Sequence, residues 1–451
     1  MRKRTVLTIE PSFDETIIFR LFKTSININD ARIPGPFNCN PDQMPAWTQP
    51  AAVQQHGQKI LQALTSHQPV SMALNMILGT PFGEVHALYF ALDVEEVENL
   101  CWETLCNQQG TFLALDQRWP IARMARSVID RPMPVHNFDS PLKILAVLSA
   151  MNIKAELEWN NLKQAVENAR QKGLDIKMKV LVGEEDLLQT IQAELDNELT
   201  GVEVDPVPDR TSDLAGILKD FRPNIVHFFC HGNTGFGAAW LELATILDRL
   251  QNKPNGSVNL SMDQLSNMLL FDELWLVTLN CCKGGQAEED LHSMAHQLVA
   301  NGVPAAIGML EPIDAGDAHE FCAGFYPAVF DLLQATFDKL NNSPEAQAAE
   351  IEWAEALWPA RADLCEKYNN DPVNNREWAL PVLYVQTQPF HVDLRLLREQ
   401  KQRAQAVAGA LQALPPDTPD AVRTQLLAML ADIPEELRPD QNGSFSGDNF
   451  V

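Results

Sequence analysis

The stretch NIVHFFCHGNTGFG (224–237) sets the fold class. Its first seven residues form an apolar run too short for a helix and rich in β-branched and aromatic side chains, as expected of a strand buried on both faces. His231 and Gly232 follow at once, and the glycines at 232, 235 and 237 read as a loose loop. Outward from it the same pattern repeats. LWLVTLN (274–280) and VPAAIGML (303–310) are further buried strands downstream, and KILAVLS (143–149) and IKMKVLV (176–182) upstream. Between and after them lie segments of helical spacing: AELEWNNLKQAVENARQKG (155–173), closed by Gly173, then DLLQTIQAEL (186–195), EEDLHSMAHQLVANG (288–302) and DAHEFCAGFYPAVFDLLQATFDKL (317–340). Strand and helix in alternation predict an α/β fold with a mostly parallel sheet flanked by helices.

Toward the N-terminus, TVLTIEP (5–11) and TIIFRLF (16–22) read as a β-hairpin, followed by the Pro- and Asn-rich loop ARIPGPFNCNPDQMPAWTQP (31–50). Toward the C-terminus, ALPVLYVQ (379–386) reads as one more strand. Residues 394–414 and 420–433 have helical apolar spacing on either side of PPDTP (415–419), predicting a helical hairpin, and the polar RPDQNGSFSGDNFV (438–451) a frayed tail.

The 451 residues carry 34 basic and 60 acidic side chains, a formal charge of −26. That balance repels phosphate backbones and anionic lipid heads, so neither nucleic acid nor membrane is the expected partner. The basic start MRKRTVLTIEP is broken by Glu10 and Pro11 and does not read as a signal peptide. Eight cysteines, most of them in apolar runs, suit reduced thiols in a cytoplasmic protein rather than a disulfide framework.

In open parallel sheets, chemistry gathers at the carboxyl ends of the strands. There stand His231, after one buried strand, and Cys282, after another and before Lys283, Gly284 and Gly285. A thiol is a nucleophile only as thiolate, which an adjacent imidazole or a helix N-terminus stabilises. The Cys-x-Gly pattern and the 51 positions (282 − 231) that separate the two residues agree with the spacing of about 50 found in caspase-type sites. The pair is therefore the candidate catalytic dyad, with the backbone amides of Gly232 and Cys282 as the oxyanion hole.

The same motifs resemble the CHAT-domain family of caspase-like cysteine proteases, relatives of caspases and separase. Members read as an apolar strand ending in His-Phe-x-x-His-Gly, a second ending in Leu-Asn-x-Cys-x-x-Gly, then Gly-x-Pro-x-x-Ile-Gly-Met and Phe-Tyr. This chain has HFFCHG (227–232), LNCCKGG (279–285), GVPAAIGM (302–309) and FY (325–326). The resemblance implies a caspase-like sheet with an N-terminal companion region, to which the helical spacing near the C-terminus adds a helical extension. Together they divide the chain into a β-containing region at 1–90, a CHAT protease domain at 91–388 with its catalytic core at about 140–340, and a helical hairpin and polar tail at 389–451. It assigns His231 and Cys282 as the dyad of a cysteine endopeptidase acting on a protein substrate, in members that serve as regulated bacterial defence or cell-death effectors. Cys281 departs from the family's small residue, but successive strand positions face opposite ways and the Cys-x-Gly register selects Cys282.

Separase-like relatives hold a basic P1 side chain with an acid after the next strand, where this chain offers Glu311, Asp314 and Asp317. Asp314 and Glu311 are the expected substrate-binding residues, although Asp314 also suits a helix cap. His292 and His296 lack the glutamate of a zinc-protease helix and read as helix surface; His227 reads as core, and Asn280 as a brace for the turn before Cys281. No Walker loop or GxGxxG is present, so no nucleotide or metal cofactor is indicated. With no sensor motif in the chain, a regulatory protein partner bearing basic residues is expected to gate activity, through the glycine loop after His231 and a docking face at 394–433. The alternatives are a silent caspase-like scaffold and a redox protein built on Cys281 and Cys282.

Overall fold

The computed structural model describes residues 3–11, 17–23, 33–35, 39, 41–92, 95–126, 135–138, 140–197, 200–235, 238–282, 292–342, 348–415, 418–431 and 433. The N-terminal part contributes β1 (Lys3–Pro11), β2 (Ile17–Lys23) and β3 (Ile33–Gly35), helices α1 (Ala52–Thr65) and α2 (Gln68–Leu78), β4 (His86–Leu92), the short α3 (Glu95–Glu98), β5 (Ile121–Ala125) and β6 (Val135–Asn137). The expected hairpin is β1 and β2, paired antiparallel. Gly57 lets α1 lie against the segment before β5, since a Cβ there would sit 1.9 Å from the Thr104 carbonyl oxygen.

Next come β7 (Leu142–Leu148), α4 (Glu156–Gln171), β8 (Ile176–Val182), α5 (Glu185–Asn197), β9 (Val202–Pro206) and α6 (Thr211–Phe221). Gly173, at φ 98°, adopts the left-handed conformation that closes α4. They are followed by β10 (Ile225–Gly235), β11 (Ala238–Leu243), α7 (Ile246–Leu250), β12 (Val258–Ser261), α8 (Met262–Met268), β13 (Leu276–Cys282), α9 (His292–Ala300), β14 (Ala305–Met309) and α10 (Ala315–Asn341). The last elements are β15 (Ala348–Glu350), α11 (Leu357–Lys367), β16 (Pro381–Gln386), β17 (His391–Asp393), α12 (Arg395–Gln412) and α13 (Asp420–Ala431). The polar tail at 438–451 lies outside the described residues.

One sheet runs in the order β3-β2-β1-β4-β5-β16-β14-β13-β10-β7-β8-β9. From β9 to β14 every neighbouring pair is parallel, and the order of first appearance, 3-2-1-4-5-6, is that of a doubly wound α/β sheet. Its switch point falls between β7 and β10. The central strands are dry: Ile225, Val226, Phe228, Phe229 and Cys230 are buried, as are Leu276, Val277, Leu279 and Cys281. These side chains leave water on both faces, which explains why they read as unbroken apolar runs.

β16 joins the two parts. It pairs antiparallel with β14 and parallel with β5, so β1 to β5 extend the same sheet. Below the joint, Arg123 of β5 is fully buried against Glu103, with Nη2 2.8 Å from Oε2. Its remaining donors reach the carbonyls of Glu98 and Leu100 at 2.6 and 3.0 Å. The desolvation cost of such a pair is offset only while both charges and the extra hydrogen bonds remain. Arg123→Ala is expected to destabilise the chain by about 3–5 kcal/mol by leaving Glu103 buried and unpaired, which a urea unfolding curve measures.

Candidate active site

β10 is longer than the sequence suggests. Residues 232–235, read as loose loop, continue the strand and pair with β11 as Gly232↔Leu241, Asn233↔Trp240, Thr234↔Ala239 and Gly235↔Ala238. The glycines mislead because they mark a hairpin arm, where small residues are tolerated, and not the end of the strand. Phe236 and Gly237 lie outside the described residues. Asn233 Nδ2 donates to Glu242 Oε2 at 3.0 Å and the Gly256 amide donates to Glu242 Oε1 at 2.8 Å, tying the arm to the loop before β12.

His231 sits where the arm leaves the sheet, with Glu242 of β11 opposite on one side and Cys282 of β13 on the other. The two candidate reactive residues thus occupy one register position on adjacent parallel strands, at their carboxyl ends beside the switch point. Cys282 enters through its backbone; Lys283, Gly284 and Gly285 lie outside the described residues. Cys281 is buried one position earlier, its register partner being the buried Cys230. Gly232, the other expected oxyanion donor, is buried and next along the arm.

The His231 ring is held by the backbone. Its Nε2 stands 2.6 Å from the carbonyl oxygen of Met151, in the loop after β7. A carbonyl only accepts, so Nε2 carries the hydrogen, and in the neutral ring the lone pair belongs to Nδ1. A neutral imidazole of this tautomer can take a thiol proton at Nδ1 without giving up its hold on Met151.

Beneath this site lies a buried polar cluster. The Glu158 carboxylate, from α4, accepts Asn280 Nδ2 at 2.7 Å and His319 Nδ1 at 2.7 Å, and stands 2.9 Å from His227 Nε2. His227 Nδ1 is 2.9 Å from the Tyr326 hydroxyl, and Asn280 Nδ2 also reaches the Ala318 carbonyl at 2.9 Å. One carboxylate therefore ties β10, four positions before His231, to β13, two before Cys282, and to α10. Burial alone would raise the Glu158 pKa, but the hydrogen bonds and charge of His227 and His319 outweigh it and bring it to about 2. Glu158, His227 and Cys322 offer three ligand atoms within 4.8 Å of one another. Burial and the neighbouring carboxylate push the Cys322 thiol well above its ordinary range, so without an ion it is a neutral thiol in this cluster. The sequence marks His227, Asn280 and, through the FY motif, Tyr326, but not Glu158 or His319, which lie on helices far from them in the chain.

The acidic residues after β14 have separate fates. β14 pairs with β13 only at Val277↔Ala306 and Thr278↔Ile307, and Glu311 follows its end at Met309. Glu311 is engaged by both guanidinium nitrogens of Arg376, whose other face covers Trp47 at 4.6 Å. Asp317 is buried and accepts from Lys367 Nζ at 2.8 Å and the Tyr368 hydroxyl at 2.9 Å. Asp314 is exposed at the start of α10 and makes no side-chain cap hydrogen bond. Of the three, it offers the carboxylate most open to an incoming cation.

His296 lies on α9 beside Tyr384, with Nδ1 3.7 Å from Glu98. Burial raises the thiols of Cys39 and Cys106 to about 11 and that of Cys101 to about 12, so these stay protonated and unreactive near neutral pH.

A family model described as CHAT domain matches residues 54–348. Among solved structures, the chain is similar to the separase–securin complex of Saccharomyces cerevisiae, with 11% identity and a TM-score of 0.32. That alignment covers 74% of this chain and 18% of the separase-complex chain, so this chain spans under a fifth of it. No curated protein matches.

The depressed pKa of Glu158 makes a pH prediction. Its folded value, about 2, lies below the ordinary carboxylate value of 4.5. The stability it confers is complete above the unfolded value and is lost as pH falls through the folded one. Stability should fall from pH 5 to pH 2 by a contribution on the order of 3 kcal/mol, and the melting temperature with it. Glu158→Gln should flatten that slope in calorimetry across the same range.

Proposed function

Because the chain belongs to the CHAT-domain family of caspase-like proteases, we propose that it is a cysteine endopeptidase whose dyad is His231 and Cys282. The observation that carries this reading is the register His231↔Cys282 at the carboxyl edge of the sheet, with the imidazole already oriented by Met151. In the proposed reaction His231 Nδ1 takes the thiol proton and the Cys282 sulfur attacks the scissile carbonyl. The amides of Gly232 and Cys282 hold the oxyanion. The imidazolium returns the proton to the leaving amine, and water frees the acyl group by the reverse sequence.

Asp314 is the proposed receptor for a basic P1 side chain, since Glu311 and Asp317 are already matched by Arg376 and Lys367. The chain's proposed role is that of a defence or cell-death effector under the control of a separate protein. The proposed partner is basic and docks on α12 and α13; α13 has no buried residue and exposes Val422, Leu427 and Met429 on an acidic protein.

Two experiments test these assignments. New protein N-termini in cells expressing the chain, mapped by proteomics, should follow Lys or Arg and should disappear, about 10³-fold or more, with Cys282→Ala; an unchanged set of termini rejects the dyad. The purified chain alone should cleave peptide panels poorly. Efficient turnover, unaffected by deleting residues 390–451, would reject the partner.

A further inference from the structure

The carbonyl that orients His231 belongs to a tight turn. The Ile153 amide donates to the Ala150 carbonyl at 3.4 Å, closing a four-residue turn over 150–153. Asn152, in its third position, has φ 60°, whereas Met151, in its second, keeps negative φ. Negative φ followed by positive φ beneath an i to i+3 hydrogen bond matches a type II turn, in which the central peptide is flipped relative to type I. Here the central peptide is Met151–Asn152, and its carbonyl is the one bonded to His231 Nε2.

Both ends of the turn are fixed from outside. Arg249 of α7 donates through Nη2 to the Ala150 carbonyl and, at 3.2 Å, to that of Ile153. Glu184 stands 3.5 Å from the same nitrogen and accepts the Ala155 amide at 2.8 Å. Thr245 caps α7 in a capping box with Asp248, so the guanidinium springs from a fixed base. With the ends clamped, the free coordinate is rotation of the central peptide, and the φ of Asn152 decides it. Asparagine tolerates the left-handed region; a β-branched residue is strained there and favours the unflipped turn.

We propose that Asn152 is a positioning residue for His231: its left-handed backbone keeps the Met151 carbonyl aimed at Nε2 and so fixes the tautomer that leaves Nδ1 as the base. This rests on the dyad reading for its catalytic meaning, but the orientation of the ring can be read independently.

Asn152 is exposed, so it can be changed without opening the core. Full-length parent, Asn152→Gly and Asn152→Val would be compared by three measurements: thermal unfolding, imidazole ¹⁵N–¹H spectra, and alkylation of Cys282 by iodoacetamide from pH 5 to 9, followed by peptide mass. Asn152→Gly, which keeps positive φ open, should match the parent in the spectra and in alkylation. Asn152→Val should lose the hydrogen-bonded Nε2–H signal of His231 and slow alkylation at pH 6 by about tenfold, as the thiol loses its imidazolium partner. Its melting temperature should stay within a few degrees of the parent. A valine variant with unchanged spectra, or a glycine variant that fails as valine does, overturns the proposal. If instead the spectra behave as expected while Cys282 of the parent reacts as a simple thiol, the orienting role stands and the dyad reading fails.

Discussion

Parallel strands pair only in discrete registers, and a slip of one residue between β10 and β13 would set Cys281 or Lys283 opposite His231 in place of Cys282. The rest of the site depends on that register. Two kinds of force hold it. Apolar burial is strong but not directional, since both faces of these strands are dry. The Glu158 cluster supplies direction, because the carboxylate reaches His227 on one strand and Asn280 on the other, and a slipped strand would leave buried polar groups without partners. The fixed register makes the local chemistry a matter of fine orientation, which falls to the loop after β7.

That division of labour decides what the amino-acid sequence reveals. Apolar runs and helical spacing mark β7, β8, β10, β13 and β14 and the helices between them, because burial on both faces leaves a strong compositional signal. β9 escapes notice: VEVDP lies at the sheet edge with Glu203 half-exposed and Asp205 exposed, so it carries no apolar run, and its Asp-Pro end reads as a turn. The run 379–386 is visible as a strand, but its role as the antiparallel joint between two parallel halves is a property of topology and leaves no trace in its residues. The glycines after His231 point the wrong way, as a loop, where pairing with β11 builds an arm.

For the site, the two reactive residue types and their strands are legible, and so is the spacing between them. Their opposition in register is not. Nor is the acceptor for His231, because a backbone carbonyl has no residue identity; the one trace is an asparagine at position 152, common in any turn. The acidic cluster after β14 shows the same limit. Glu311, Asp314 and Asp317 look alike in sequence, and only their partners, Arg376, Lys367 and Tyr368 some 50 to 65 positions away, distinguish those already matched from the one left open.

The proposed pairing of one thiol of this chain with one imidazole, for attack on an acyl group, is what the rest turns on. Its most direct measurement is the site of covalent capture by a peptidyl acyloxymethyl ketone with lysine at P1, added to the parent and to His231→Ala and mapped by mass spectrometry of the digested protein. The account predicts a single thioether adduct on Cys282 in the parent and its loss in the His231 variant, with Cys281 unmodified in both. An adduct on Cys281, or equal capture in the two proteins, would contradict it.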